Sequence, residues 1–246
     1  MRYNPYIRAC PAMEFNPLLE NIKNVYRTIS SAAIRSGRNP FDVKLIAATK
    51  TVDVARIREA IEFGLRAFGE NRVQEAKEKI LHIRAHMPEY EVEWHMIGHL
   101  QRNKAKIAVR MFDLIHSLDS VELARDLDRH ASAFGKTQRV LVEVKLSEEA
   151  TKYGVPERAL IPLLREISSL EHLRLEGLMT MPPFFEDPQM ARPFFRKLRE
   201  LRDAAEATGF RLPELSMGMT NDFEIAILEG STMVRIGTGI FGERGR

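Results

Sequence analysis

Apolar positions follow two periods in turn along most of this chain. Leu18, Ile22, Val25, Ile29 and Ala33 recur at three- and four-residue steps, which predicts an amphipathic helix, and Gly37 supplies its stop. Short apolar runs then alternate with helical stretches. The run from Val43 to Lys50 is too short for a helix and rich in strand formers, so it reads as a buried strand. A helix carrying Val54, Ile57, Ile61 and Phe63 follows. The same alternation predicts strands at about 66–69, 92–97, 114–117, 139–145 and 173–179, a short one ending at Leu215-Ser216, and a last one at 232–236. Helices are predicted at about 72–87, 103–110, 121–133, 156–169, 188–208 and 222–228.

Repeated βα units at this chain length favour a TIM (β/α)8 barrel, with an extra N-terminal helix, over an open doubly wound sheet. No low-complexity linker interrupts the pattern, so residues 15–246 read as a single domain. Residues 1–14 contain two prolines and no helical period; they read as an N-terminal tail, with Met13 as an alternative start.

Composition removes several function classes. The chain of 246 residues is 44% hydrophobic and 29% charged, enough apolar material for a full core. Net charge is only +3 and the signs are interleaved, as in Glu75-Ala76-Lys77-Glu78-Lys79, without a basic patch carrying aromatics; nucleic acid is not an expected partner. Cys10 is the single cysteine, which excludes an intrachain disulfide and a cysteine-built metal site. No apolar stretch reaches membrane-span length and no signal peptide is seen, so a soluble cytoplasmic protein is expected. With no long apolar seam, a monomer is expected.

The candidate chemistry begins at Lys50, which closes the first strand. In α/β barrels active groups gather at the carboxyl ends of the strands, and phosphate often docks after strands seven and eight. Ser216 ends the predicted seventh strand and Gly218 follows it, where Gly218 would let backbone approach a ligand and the following helix would aim its first amides at the same space. Gly237-Thr238-Gly239 gives a second glycine and hydroxyl turn after the eighth. A lysine facing a phosphate cup suits a small phosphorylated aldehyde captured as an imine. Pyridoxal 5′-phosphate (PLP) meets this description, and a cofactor-free aldolase would use the same parts.

Six ordered blocks resemble the pyridoxal phosphate homeostasis protein family: Ala48-Thr49-Lys50-Thr51, Phe68 to Glu75 (FGENRVQE), Trp94 to Lys104 (WHMIGHLQRNK), Gly177 to Met181 (GLMTM), Ser216 to Thr220 (SMGMT) and Arg235 to Gly242 (RIGTGIFG). The resemblance spans about residues 15–243. It implies a barrel related to the N-terminal domain of alanine racemase, with PLP held as a Schiff base on Lys50. It further implies phosphate contacts from Ser216, Gly218, Met219, Gly237 and Thr238, and Arg235 facing the pyridine nitrogen. Members are described as carriers or regulators of intracellular PLP and amino-acid balance, so PLP-dependent apo-enzymes are candidate partners.

Arginine stays charged and only donates hydrogen bonds, so a ring nitrogen beside Arg235 would remain an unprotonated acceptor and the ring a poorer electron sink. Racemisation by relatives of this fold also uses a tyrosine from an additional β domain, for which the chain leaves no room. A bound PLP without turnover is therefore expected, the alternative being a racemase-like enzyme acting on amino acids.

Asn71 is read either as a group approaching the imine or ring hydroxyl or as an ordinary helix cap. Met179 and Met181 are read as packing against the ring or the core, and Trp94 as core. His95 and His99 have a metal-like spacing only if helical, and Gly98 argues against a helix; no metal is expected. Two positions depart from the family pattern. Glu143-Val144-Lys145 replaces Gln-Val-Asn, which adds a second amine near the mouth, and Thr220 replaces a more common serine.

Overall fold

A computed structural model describes residues 16–147, 149 and 153–243; the tail read over 1–14, with Cys10 and Met13, lies outside them. Eight parallel strands close on themselves: β1 (Lys44–Ala48), β2 (Ala67–Glu70), β3 (Glu93–Met96), β4 (Leu114–Leu118), β5 (Gln138–Lys145), β7 (Leu173–Met179), β8 (Glu214–Met219) and β9 (Met233–Ile236). The pairings β1–β9 and β4–β5 complete the ring, so no barrel strand is left as an edge. A two-residue strand, β6 (Val155–Pro156), adds to β5 outside it.

Alternation along the strands builds two cores. Residues facing outward pack beneath the helices in one large cluster that includes Trp94 and Phe68, with ring centroids 5.4 Å apart. Inward-facing Ile46, Ala67, Leu114, Leu141, Met179 and Met233 form a small layer that plugs the barrel. Two residues further along three of those strands the interior turns polar: His116 follows Leu114, Glu143 follows Leu141, and Arg235 follows Met233, all buried. The barrel is therefore dry and apolar at mid-height and charged toward its carboxyl end.

The expected extra helix, α1 (Pro17–Arg35), is capped by Asn16, whose side chain accepts from the amides of Leu18 and Leu19. The same side chain donates to Glu59 of α2 (Val54–Glu62) at 2.6 Å. At the other flank Asn21 donates to the carbonyl of Ile240 in α9 (Thr238–Phe241) at 3.0 Å. α1 thus fills the gap that a four-residue helix after β9 leaves in the outer ring.

The elements differ from expectation in three ways. The stretch 188–208 divides into a 3-10 turn, Pro188–Ala191, and helix α7 (Arg192–Glu206). α9 and β6 are too short to leave a periodic signal. Most consequential, β8 continues to Met219, so Ser216 lies in mid-strand and not at its end.

Candidate functional site

A cavity of about 820 Å³ opens at the carboxyl ends of the strands. Six of the nine expected site residues line it: Lys50, Asn71, Met219, Arg235, Gly237 and Thr238. Met179, Ser216 and Gly218 do not. Met179 belongs to the apolar plug below, and Met181, two residues on, takes the wall position.

Lys50 stands two residues past β1 in a tight turn, where the amide of Val52 donates to the carbonyl of Thr49 at 3.0 Å. It is half-buried. Asn71 is not a helix cap: the residue before α3 (Val73–His86) is Arg72, and Asn71 stands free in the turn to face the cavity. Lys145, the added amine, is half-buried at the end of β5 and does not line the cavity.

Arg235 forms the floor. Its guanidinium, on a residue only 3% exposed, donates to Ser216 Oγ at 2.5 Å and to the carbonyl of Thr180 at 3.0 Å. Burial draws its pKa down to about 10, against the pull of the Glu143 and Asp222 carboxylates, so it remains charged at neutral pH.

Ser216, expected at the phosphate, does not line the cavity and stands beneath it as a strut for Arg235. Besides accepting from Arg235, its hydroxyl lies 2.8 Å from His116 Nδ1, and His116 Nε2 lies 2.9 Å from His95 Nδ1. His95 Nε2 is 3.5 Å from a Glu93 carboxylate oxygen, and that carboxylate is held by Lys44 at 2.6 Å and Arg139 at 2.8 Å. The carboxylate only accepts, so it favours the His95 tautomer that carries its proton on Nε2. His95 Nδ1 must then accept from His116 Nε2, and His116 Nδ1 from the Ser216 hydroxyl. A single polarised chain crosses the barrel interior, and its last link turns a serine lone pair toward Arg235.

Burial keeps His95 below the usual imidazole pKa, and burial, with the Arg235 charge nearby, keeps His116 well below it. The hydrogen bond from His95, with Lys44 and Arg139, holds Glu93 well below the carboxylate range. All three bind fewer protons folded than unfolded. Their contribution is complete above the unfolded values, about 6.5 for histidine and 4.3 for glutamate, and is lost as pH falls toward the folded ones. The urea midpoint is expected to fall between about pH 7 and 5, and again below about 4. A midpoint that is flat from 7 to 5 would contradict two buried neutral histidines.

At the mouth, the hydroxyls of Thr220 and Thr238 lie 3.3 Å apart, and the Gly239 amide donates to Thr220 Oγ1 at 3.3 Å. Both threonines line the cavity. Thr220 is the site residue that sequence reasoning missed. Its signal was position: Thr220 is the first residue past β8, at the carboxyl-end rim, whereas Ser216 and Gly218 lie within the strand. The Met219 amide is occupied by Asp222 Oδ1 at 2.7 Å. Gly218, at φ 94°, does not line the cavity. A Cβ there would come within 2.6 Å of Ala226 Cβ and 2.9 Å of Phe223 Cα, so its bareness lets α8 (Phe223–Leu228) pack onto β8. Among the described residues no group of three or more metal-ligating side chains exists; His95 is buried in the chain above, and the His99 ring stacks on Tyr153 with centroids 3.7 Å apart. No helix among the described residues is long and apolar enough to cross a membrane.

The chain is similar to several known proteins. Residues 19–245 match the family model described as alanine racemase, N-terminal domain. A pyridoxal phosphate homeostasis protein of Aquifex aeolicus (strain VF5) is 45% identical over 226 residues, covering 92% of this chain and 97% of the relative. One from Vibrio alginolyticus is 40% identical over 225 residues, with 92% and 97% covered. The solved structure of PipY from Synechococcus elongatus PCC7942 with PLP bound superposes with a TM-score of 0.80 at 36% identity, covering 92% of this chain and all of that one.

Proposed function

The chain belongs to the pyridoxal phosphate homeostasis protein family, and from that premise we propose that it holds PLP as a Schiff base on Lys50 and serves intracellular PLP and amino-acid balance without turnover of its own. The observation that carries this reading is the convergence of Lys50, Arg235, Thr220 and Thr238 on one cavity. The donor set suits the coenzyme. The paired threonine hydroxyls and the amides of the Gly237 turn would hold the phosphate, Arg235 would face the ring nitrogen, and Asn71 and Ile97 would flank the ring. A volume near 820 Å³ is ample for a phosphorylated pyridine. Bound there, the coenzyme supplies an aldehyde that captures amines and a ring able to withdraw electrons.

Two features of this chain favour holding over turnover. Arg235 stays charged at neutral pH and is fastened by Ser216, so it would donate a hydrogen bond to a ring nitrogen while keeping its own proton, leaving that nitrogen unprotonated. Among the described residues lining the cavity there is no histidine, tyrosine or cysteine, and Lys50 is the one amine. Apo-forms of PLP enzymes are the proposed recipients, and the cytoplasm and a monomeric state the proposed setting. The reading is tested by incubating the PLP-loaded protein with a panel of L-amino acids. No racemisation beyond that of free PLP is expected, and enzyme-scale turnover of any of them would replace the holder by a racemase-like enzyme.

Thr220→Val keeps the shape of the rim and removes one hydroxyl. Loss of one such bond to a charged group, about 1.5 kcal/mol, should raise the PLP Kd roughly tenfold in an equilibrium dialysis measurement. An unchanged Kd would place the phosphate elsewhere.

A further inference from the structure

The turn that presents Lys50 is gripped on both sides by one buried ionic cluster. Thr51 has φ 64°, the left-handed region that a β-branched residue rarely enters. It occupies the third position of the turn from Thr49 to Val52, a place where positive φ usually calls for glycine. Something must hold it there. Its amide donates to Glu75 Oε1 at 2.7 Å, and the same oxygen accepts from Lys79 Nζ at 2.6 Å. Lys79, 7% exposed, also donates to Glu70 Oε1 at 2.9 Å and to the carbonyl of Thr49 at 2.7 Å. Glu70, fully buried, accepts from the Thr49 hydroxyl at 2.6 Å. The ammonium of Lys79 thus has three acceptors for its three donors. Thr49 is tied through its carbonyl and hydroxyl and Thr51 through its amide, and Lys50 lies between the two ties.

Glu70, Glu75 and Lys79 do not line the cavity, so they can reach its chemistry only through the backbone. We propose that these three side chains are positioning residues for Lys50. They hold the turn in a conformation that Thr51 would otherwise leave, and in doing so keep the Lys50 amine aimed into the cavity. This rests on the reading of Lys50 as the amine that captures PLP.

The test separates positioning from general stability by relieving the backbone instead of restoring the carboxylate. Apo-protein is mixed with saturating PLP and the growth of Schiff-base absorbance is followed by stopped flow. Glu75→Ala is expected to slow it by about tenfold, since a small misplacement of a reacting group is costly. In the apo-protein of the same variant the Thr51 amide should exchange its hydrogen faster. Adding Thr51→Gly, which adopts positive φ unaided, should return the rate to within about threefold of wild type. Should Glu75→Ala prove unfolded, Glu75→Asp, one methylene short of the Thr51 amide, is expected to slow loading in the same sense. Wild-type rates in the Glu75 variants, or a double variant as slow as Glu75→Ala, would overturn the clamp. A wild-type protein that develops no Schiff-base absorbance overturns the premise about Lys50 instead.

Discussion

Lys50→Ala protein, mixed with PLP and passed through a desalting column, is expected to emerge colourless, whereas wild type retains a yellow chromophore. The effect should be close to complete, because the remaining contacts are non-covalent and the cavity is open to water. The Thr220 and Thr238 hydroxyls and Arg235 are untouched by the change, so weak, reversible binding of PLP should survive and be measurable by dialysis. The pattern expected is loss of the absorbance together with partial retention of affinity. Lys145 is the control: at the end of β5 and outside the cavity lining, its replacement by alanine should leave the colour intact. Colour that persists in Lys50→Ala and disappears in Lys145→Ala would reverse the assignment.

Gly218→Ala is the second large effect, and it acts through packing. The new methyl would press on Ala226 Cβ at 2.6 Å and on the Phe223 backbone at 2.9 Å, with φ fixed at 94° by the strand that continues into the rim. Both contacts are with α8, and neither can rotate away. Overpacking and an unfavourable positive φ together should cost about 2–4 kcal/mol of stability. The backbone of Met219 and Thr220 follows directly, so the rim hydroxyl should shift and PLP affinity fall as well. Thermal unfolding and dialysis on the one variant check both. A variant with wild-type melting temperature would mean that α8 stands further from β8 than described.

Much of the fold was legible because each barrel strand is a short run of strand formers followed by a helical period. β7 matches its expected span, 173–179, and α5 (Val121–Ala133) coincides with 121–133. What escaped was too short for periodicity, as with α9, or masked by local composition. Ser-Met-Gly-Met-Thr reads as a turn because of its glycine, yet Gly218 is a strand residue stripped to admit α8. That single misreading moved Ser216 to the rim and overlooked Thr220. The six expected residues that line the cavity were recoverable because each lies at or beside a strand end. The supports beneath were not, since they join distant parts of the chain: His116 and Ser216 are 100 residues apart and His95 and His116 are 21 apart. Nothing local in a histidine on an apolar strand distinguishes a link in such a chain from an ordinary core residue. The cluster under Lys50 was hidden differently. Glu75 and Lys79 entered only as part of a run of interleaved charges, whereas Lys79 turns inward to meet Glu70.

The central claim is that one amine, Lys50 Nζ, carries the coenzyme. Borohydride reduction of the PLP-treated wild-type protein, followed by proteolysis and peptide mass mapping, tests it most directly. A pyridoxyl mass increment confined to the peptide containing Lys50 is the predicted result. An increment on Lys145, or an unmodified Lys50 peptide at saturating PLP, would contradict it.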